Sequence, residues 1–204
     1  MQIPSIHLKS VSKKFNKYYL YKNISLDIFP QDKISITGNN GSGKSTLLKI
    51  IIGLVTPNDG NIEYIINEKK LEKKYWHQLV SVAAPYMNIS EDFTVNELIE
   101  HLSVFRKFQL SKNEMLSKLE LDKHLDKPIK FFSSGMKQKT RLLLAILDCA
   151  PVLLLDEPLS NLDEKNAQWY SEMIQKFAMN KTILVFSNSL EKEYFFCDKH
   201  FSLS

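Results

Sequence analysis

The chain has 204 residues, of which 44% are hydrophobic and 25% charged, and its formal net charge is +4. This composition is ordinary for a globular protein, excludes a low-complexity chain, and allows one sizeable core, alone or with a small lobe. The lysines are spread along the chain, so no nucleic-acid partner is predicted. The two cysteines, Cys149 and Cys197, have no metal-like spacing and favour a reducing compartment without disulfides.

No segment of the sequence looks like a secretion signal or a membrane span. The first residues contain no apolar signal region, and the longest apolar runs are only as long as a strand or a helix. We therefore expect a cytoplasmic protein that reaches a membrane only through another chain.

The first third of the chain predicts a small β region. Residues 6–26 alternate loosely between apolar and polar and predict one or two strands. Residues 34–37 predict a further short strand. Pro57-Asn58-Asp59-Gly60 is a strong turn signal, and a strand over residues 62–66 is expected to follow it.

Glycine is concentrated in one octet between a predicted strand and a predicted helix. Three of the six glycines lie in Gly38-Asn39-Asn40-Gly41-Ser42-Gly43-Lys44-Ser45, which fits the phosphate-binding loop pattern. A helix is predicted from Thr46 to Ile52, with Gly53 as its stop signal, so that its N-terminus faces the anion. We expect Lys44 to reach the terminal phosphates of a nucleotide and the Ser45 hydroxyl to bind Mg²⁺.

The middle of the chain predicts helices, from about Thr94 to Cys149. Residues 94–97 and 111–114 both have capping-box form, in which Ser or Thr precedes Glu by three residues. A later helix is predicted from Ser134 to Cys149 and stops before Pro151.

The last third of the chain predicts buried strands around one helix. Residues 152–155 form a continuous apolar run of the kind buried in a parallel sheet, and residues 182–186 form another. Between them, helical spacing is shown by Ala167, Tyr170, Ile174 and Phe177. The whole pattern predicts an α/β fold with a small β region first and a helical insert in the middle.

Two carboxylates follow the first of these apolar strands directly. A phosphate loop needs a carboxylate at the end of a neighbouring strand, and Asp156 meets this need as the partner of Ser45 in binding Mg²⁺. Glu157 is placed to polarise an attacking water. A lone Asp-Glu pair is usually only a solvated strand end, but an apolar strand that runs directly into Asp-Glu-Pro favours a function.

A second candidate anion site lies where the predicted helix at Ser134 begins. The segment Phe132-Ser133-Ser134-Gly135-Met136 supplies small hydroxyl and glycine residues ahead of Lys137-Gln138-Lys139. At this point the chain resembles the ATP-binding-cassette (ABC) ATPases, whose signature is usually Leu-Ser-Gly-Gly-Gln. Residues 160–163, Ser-Asn-Leu-Asp, resemble the D-loop of that family, and Phe15 resembles its adenine-stacking aromatic residue. The resemblance extends from Ile6 to the region of Asp198.

The resemblance implies the ATP-binding subunit of an ABC transporter, of the short single-cassette type. It implies one domain over residues 1–204: a P-loop NTPase core with a mostly parallel sheet, a small N-terminal antiparallel β subdomain, and an α-helical subdomain inserted at roughly 86–148. Two chains, as a homodimer or with a paired ABC subunit, would enclose two ATP molecules head to tail. Their closure and ATP hydrolysis would drive a transmembrane permease subunit, which holds them at the inner face of the cell membrane.

The predicted site residues fall into three groups. Catalytic roles are expected for Glu157 and Asn188, and Mg²⁺ binding is expected for Ser45 and Asp156. ATP contacts are expected from Phe15, Gly38, Asn39, Asn40, Gly41, Ser42, Gly43, Lys44, Ser45, Thr46, Ser133, Ser134, Gly135, Met136 and Asp163.

Two positions depart from the family's pattern. Residues 80–86 match the region where the family has an apolar strand and then a glutamine, but they contain no glutamine. The family's histidine near the γ-phosphate is replaced by Asn188. Because an asparagine can hydrogen-bond a phosphate but cannot carry a positive charge, we expect slow basal hydrolysis.

Two other functions stay open from the sequence. An ABC-type protein without a membrane partner would act as an ATP-gated dimer switch in DNA or ribosome work. Such proteins usually carry a long coiled coil or a second cassette, and this sequence contains neither. A small-molecule kinase also uses a phosphate loop, but the signature-like segment and the Asp156-Glu157 pair argue against that function.

Overall fold

The computed structural model describes residues 2–87, 89–121, 124–188 and 190–203. The chain divides into two compact units. The first, called the core unit here, comprises residues 1–81, 150–156 and 180–204. The second, called the insert unit, comprises residues 82–149 and 157–179.

The described strands are, in chain order, β1 (Ser5–Phe15), β2 (Tyr18–Ile28), β3 (Lys33–Thr37), β4 (Asp59–Ile66), β5 (Lys69–Lys70), β6 (Val80–Ala83), β7 (Val152–Asp156), β8 (Thr182–Ser187) and β9 (Lys199–Ser202). The described α-helices are α1 (Lys44–Ile51), α2 (Trp76–Leu79), α3 (Val95–Ser103), α4 (Lys112–Leu119), α5 (Ser134–Leu147) and α6 (Glu164–Phe177). Short 3₁₀ turns lie at Lys73–Tyr75, Ile129–Phe131 and Glu191–Glu193.

A mostly parallel sheet forms the centre of the core unit. Within the described residues its strand order is β6-β7-β8-β3-β9, and β3 is parallel to both β8 and β9, as β7 is to β8. The apolar residues of β7 and β8 are completely buried, which confirms the two strands predicted from apolar runs. Thr37 pairs with Ser187, and Asp156 pairs with Phe186. The residues that follow β3, β7 and β8 are therefore brought to one edge of the sheet.

A second sheet in the core unit is antiparallel, with the order β2-β1-β4-β5 among the described residues. Its position in the sequence confirms the predicted small β region. The predicted turn at residues 57–60 is wrong in its second half, because β4 already begins at Asp59. Gly60 has a φ of 77°, and a Cβ there would lie 2.3 Å from Ser10 O and 2.4 Å from Lys9 O. This glycine therefore lets β4 approach an irregular part of β1 rather than forming a turn.

A helix was predicted directly after the glycine-rich octet, from Thr46. Helix α1 is present, but it begins at Lys44, inside the octet. Its end confirms Gly53 as the stop signal. Gly53 has a φ of 83°, and Leu54 N donates to Lys49 O at 2.9 Å, which is the usual pattern of a glycine-terminated helix.

Helices dominate the insert unit, and two of them start at the predicted capping boxes. The Thr94 and Ser111 side chains accept from the backbone of Glu97 and Glu114, whose side chains bond back to the caps. Helix α5 ends at Leu147 rather than at Cys149. Residues 148 and 149 leave the helix because they pair with an extended segment at residues 107–109.

Several short elements of the core unit were not predicted, among them helix α2 and strand β9. Helix α2 is held by tertiary packing, since the Trp76 ring stacks on Tyr64 with 4.3 Å between centroids and donates to Leu71 O at 3.2 Å. Strand β9 is polar in sequence and is defined by its pairing with β3. None of the described helices combines the length and apolar character needed to cross a lipid bilayer.

Candidate functional site

The glycine-rich loop connects β3 to α1 at the carboxyl edge of the parallel sheet. Gly41 and Gly43 have φ values of 83° and 98°, which glycine adopts without strain. A Cβ on Gly43 would lie 2.5 Å from the Leu20 side chain, and a Cβ on Gly38 would lie 2.5 Å from Leu203 O. The loop is therefore backed by β2 on one side and by the residue after β9 on another. Its end forms the N-terminus of α1, where unpaired backbone N–H groups favour an anion.

The ammonium of Lys44 lies inside this loop, with only 5% of the residue exposed. It donates to Gly38 O at 2.8 Å, to Asn39 O at 3.1 Å and to Oδ1 of Asn188. Asn188 directly follows β8, the neighbour of β3, so the parallel pairing brings it beside the loop. The structure therefore brings together two residues that the sequence analysis assigned to the same site.

A second pair from the predicted site lies at the start of α1. The Ser45 hydroxyl donates to Asp156 Oδ2 at 2.6 Å, and Asp156 is 2% exposed at the end of β7. A hydroxyl and a carboxylate are oxygen ligands of the kind that Mg²⁺ prefers. Among the described residues no cluster of three or more His, Cys, Asp or Glu side chains could hold a metal.

Two hydroxyls in or beside the loop are buried without a hydrogen-bond partner among the described residues, namely those of Ser42 and Tyr21. The unpaired Ser42 hydroxyl suits a loop that receives a polar ligand. Tyr21 lies behind the loop, where its Cε1 is 2.9 Å from the position that a Cβ of Gly43 would take. Burial raises the pKa of the Tyr21 hydroxyl above its ordinary value. The position of Tyr21 behind the loop was not predicted. An aromatic residue in an alternating strand gives no local sign of which distant segment it will contact.

The predicted adenine-stacking residue is at the tip of the β1–β2 hairpin. Phe15 is 57% exposed and pairs across the strands with Tyr18, which is 82% exposed. The Lys13 ammonium lies 5.5 Å from the centroid of the Phe15 ring. Exposed rings offer a flat apolar face, which suits stacking on a nucleobase. The remaining predicted loop contacts, Asn40 and Thr46, lie in the loop and in the first turn of α1.

The signature-like segment begins α5 in the insert unit. Ser133 is the N-cap of this helix, and its hydroxyl accepts from Met136 N at 3.2 Å. Ser134 and Gly135 form the first turn. A Cβ on Gly135 would lie 2.8 Å from Asn161 O, so the segment packs closely against the D-loop. The four predicted residues 133–136 therefore lie together at one helix N-terminus.

The D-loop is braced by the same helix. The buried Gln138 side chain donates to Pro158 O at 3.0 Å. Asp163 is the N-cap of α6, where it accepts from Asn166 N at 2.9 Å. Glu157 has a φ of 45°, in a region that residues with side chains seldom adopt, and Ser160 N donates to its carbonyl at 3.0 Å. The sequence analysis predicted Asp163 as an ATP contact and missed its role as a cap.

Lys139, the last residue of the Lys-Gln-Lys sequence, is buried rather than free on the surface. It lies 4.8 Å from the centroid of the Trp169 ring and 3.4 Å from a Glu120 oxygen. Burial lowers the pKa of its ammonium, and the Glu120 carboxylate acts in the opposite direction. This lysine therefore ties α5 to α6 within the insert unit, a role that its charge alone did not predict.

The geometry of the glycine-rich loop agrees with a comparison against known families. The family described as ABC transporter matches residues 21–160, which is more than half of the chain. The chain belongs to the ABC transporter family. This membership favours the ABC interpretation over the small-molecule kinase considered from the sequence, and the P-loop NTPase fold predicted for the chain is confirmed.

Individual ABC proteins match nearly the whole chain. It is 30% identical over 196 residues to YxlF, an uncharacterized ABC transporter ATP-binding protein of Bacillus subtilis, covering 95% of the chain and 66% of that protein. It is 30% identical over 217 residues to the phosphonates import ATP-binding protein PhnC of Fusobacterium nucleatum, covering 97% of the chain and 88% of that protein. It resembles a bacterial ABC transporter cassette solved as a dimer, with a TM-score of 0.80 and 25% identity over 97% of this chain and 94% of that one. The chain spans somewhat less than two thirds of the length of YxlF.

Proposed function

We propose that this chain binds and hydrolyses ATP as the nucleotide-binding subunit of an ABC transporter. The observation that carries the proposal is the pair of contacts at the carboxyl edge of the parallel sheet, in which Lys44 bonds to the loop carbonyls and Ser45 bonds to Asp156. Membership of the ABC transporter family and the similarity to ATP-binding proteins support it.

ATP binds with its phosphates in the loop of residues 38–45 and its base against Phe15. The Lys44 ammonium donates at least one hydrogen bond to a phosphate oxygen, and backbone N–H groups at the start of α1 donate to the other phosphate oxygens. The buried Ser42 hydroxyl supplies a further donor. Stacking on Phe15 positions the adenine, since its ring is exposed at the hairpin tip.

Ser45 and Asp156 hold Mg²⁺ in this proposal. When bound, the ion neutralises charge on the β- and γ-phosphate oxygens. The hydrogen bond between the two side chains already turns both oxygens toward each other, and the burial of Asp156 fixes its carboxylate. Ser45 and Asp156 would therefore supply two oxygen ligands to the ion.

Glu157 acts as the general base that polarises the attacking water. It directly follows Asp156, and its φ of 45° fixes the backbone in a conformation that is rarely populated. A backbone strained in this way is often found where a side chain must be aimed for chemistry. The carboxylate accepts a proton from water as the oxygen attacks the γ-phosphate, and ADP leaves.

Two such chains, or one chain and a paired ABC subunit, enclose ATP head to tail. Residues 133–136 and Asp163 of one subunit then contact ATP held by the loop of the other. The helix N-terminus at Ser133 supports this role, because it presents N–H groups to an anion. Closure of the pair drives a transmembrane permease subunit, through which the protein sits at the inner face of the cell membrane.

The variant Glu157→Gln tests the proposal, because an amide keeps the size of the side chain but cannot act as a base. With ATP and Mg²⁺ we expect hydrolysis to fall by about a hundredfold or more, and light scattering to find a dimer holding two ATP molecules. Glu164→Gln, an exposed change of the same kind at the start of α6, is the control and should hydrolyse normally. Hydrolysis at the wild-type rate by Glu157→Gln would refute the role of Glu157, and a wild-type protein that binds no ATP would refute the proposal.

A further inference from the structure

Lys44 has all three of its ammonium protons engaged within the protein. An ammonium carries three donors and no acceptor. Its described acceptors are Gly38 O at 2.8 Å, Asn39 O at 3.1 Å and Asn188 Oδ1. A phosphate oxygen that enters the loop must therefore replace at least one of these three partners.

The three acceptors differ in how readily they can leave. Gly38 and Asn39 offer backbone carbonyls of the loop itself, so these two oxygens can move only with the loop. Asn188 offers a side-chain amide from the end of β8, and the residue is exposed. Its oxygen belongs to a side chain and can move by rotation about χ angles, whereas a backbone carbonyl cannot. Asn188 is therefore the partner that gives way with the least disturbance.

We propose, on the basis of the proposed function, that Asn188 is a positioning residue that latches Lys44 before the nucleotide arrives. Its oxygen holds the third ammonium proton inside the loop and competes with the β-phosphate for it. The amide is neutral, so the latch adds no negative charge near the phosphates. ADP and ATP both carry a β-phosphate, so this competition weakens the binding of both nucleotides.

The latch and a contact between Asn188 and the γ-phosphate predict different changes in nucleotide affinity when the amide is removed. They differ in whether binding becomes tighter or weaker, and in whether ADP is affected as well as ATP. If the amide donated to the γ-phosphate, its removal would weaken ATP binding and leave ADP binding unchanged. If the amide oxygen competes for Lys44, its removal leaves only water as the competitor, and both nucleotides bind more tightly. Water at this exposed position is easier to displace than an oriented amide oxygen.

The test is the affinity of Asn188→Ala for ADP and for ATP, measured by calorimetry under conditions without hydrolysis. We expect both nucleotides to bind about three- to tenfold more tightly than to the wild-type protein, as the ordinary net value of one hydrogen bond exchanged with water implies. Asn180→Ala, an exposed asparagine near the opposite end of β8, is the matched control and should leave both affinities unchanged.

Thermal unfolding of the nucleotide-free proteins shows whether Asn188→Ala is folded. In a folded variant, unchanged or weaker ADP binding would overturn the latch, and so would weaker ATP binding with ADP unchanged. If the wild-type protein bound neither nucleotide, the proposed function would fall together with the latch. If the wild-type protein bound both nucleotides and Asn188→Ala bound them no more tightly, the latch would be refuted and the proposed function would stand.

Discussion

The phosphate loop and the signature-like segment are both glycine-containing turns at a helix N-terminus, but they are held in different ways. In the loop, side chains with chemical roles bond to one another, since Lys44 is bonded to Asn188 and Ser45 to Asp156. In the signature-like segment, Ser133 caps its own helix and Gly135 packs on the backbone of Asn161. The first is an assembled chemical site within one unit of one chain. The second is a helix N-terminus held by its own cap and by a close backbone contact, and in our proposal its ligand is ATP bound to another subunit.

This difference explains why the two elements should respond differently to mutation. A change in the phosphate loop alters the binding of nucleotide to the same chain. A change in the signature-like segment should leave that binding intact and impair only the dimer.

Lys44→Ala should have the largest effect on ATP binding. It removes the buried ammonium that we propose binds the phosphates, and we expect affinity for ATP to fall about a hundredfold or more. Lys49→Ala, which removes the same charge near the other end of α1, is the control and should bind ATP normally. Calorimetry on both folded variants makes the measurement. If Lys44→Ala kept wild-type affinity, the phosphate-loop assignment would be wrong.

Gly43→Ala should destabilise the loop more than Gly41→Ala. Both positions have positive φ, but a Cβ on Gly43 would also collide with Leu20 and Tyr21, whereas nothing lies within 4 Å of one on Gly41. We expect losses of about 2–4 kcal/mol for Gly43→Ala and about 1–2 kcal/mol for Gly41→Ala. Urea unfolding of the two variants gives the difference. Equal losses would show that β2 does not brace the loop.

Ser133→Ala should have a small effect on stability, because it removes one N-cap from α5. The expected loss is about 1 kcal/mol, and Ser133→Asp should restore it, since aspartate caps helices equally well. Both variants should bind ATP like the wild type, but the added carboxylate of Ser133→Asp should slow hydrolysis by repelling the partner's phosphates. Unfolding curves of the two variants measure the contribution of the N-cap to stability. Their ATPase rates measure the contribution of residue 133 to the contact across the dimer. Full ATPase activity in Ser133→Asp would contradict the signature assignment.

Much of the fold followed from local patterns in the sequence. The capping boxes at Thr94 and Ser111, the stop at Gly53 and the apolar run before Asp156 each depend on residues within a few positions of one another. Each was confirmed because local bonding or uniform burial determines it. The predicted start of α1 and the predicted end of α5 were each wrong by two residues, and α5 ends early because residues 148 and 149 pair with residues 107–109.

The contacts that could not be predicted from the sequence join residues that are far apart along the chain. Asn188 was expected near a γ-phosphate, but its bond to Lys44 depends on the parallel pairing of β3 with β8. Gly60 looked like a turn residue because the irregular part of β1 that it accommodates lies fifty positions earlier in the sequence. Tyr21 gave no signal because only the fold places it behind Gly43. The roles of the site residues and the boundary of the helical subdomain stay predictions.

The most direct test of the whole account mixes two inactive variants, Lys44→Ala and Ser133→Arg. The first lacks the phosphate-binding ammonium, and the second carries a bulky side chain in the signature-like segment. In a head-to-tail dimer, the mixed pair has one site with an intact Lys44 from one chain and an intact Ser133 from the other. We predict that each variant alone hydrolyses almost no ATP and that mixing restores roughly a quarter of the wild-type rate, because half of the dimers then hold one intact site of two. A mixture as inactive as its components, although both variants are folded and Ser133→Arg binds ATP, would contradict the account.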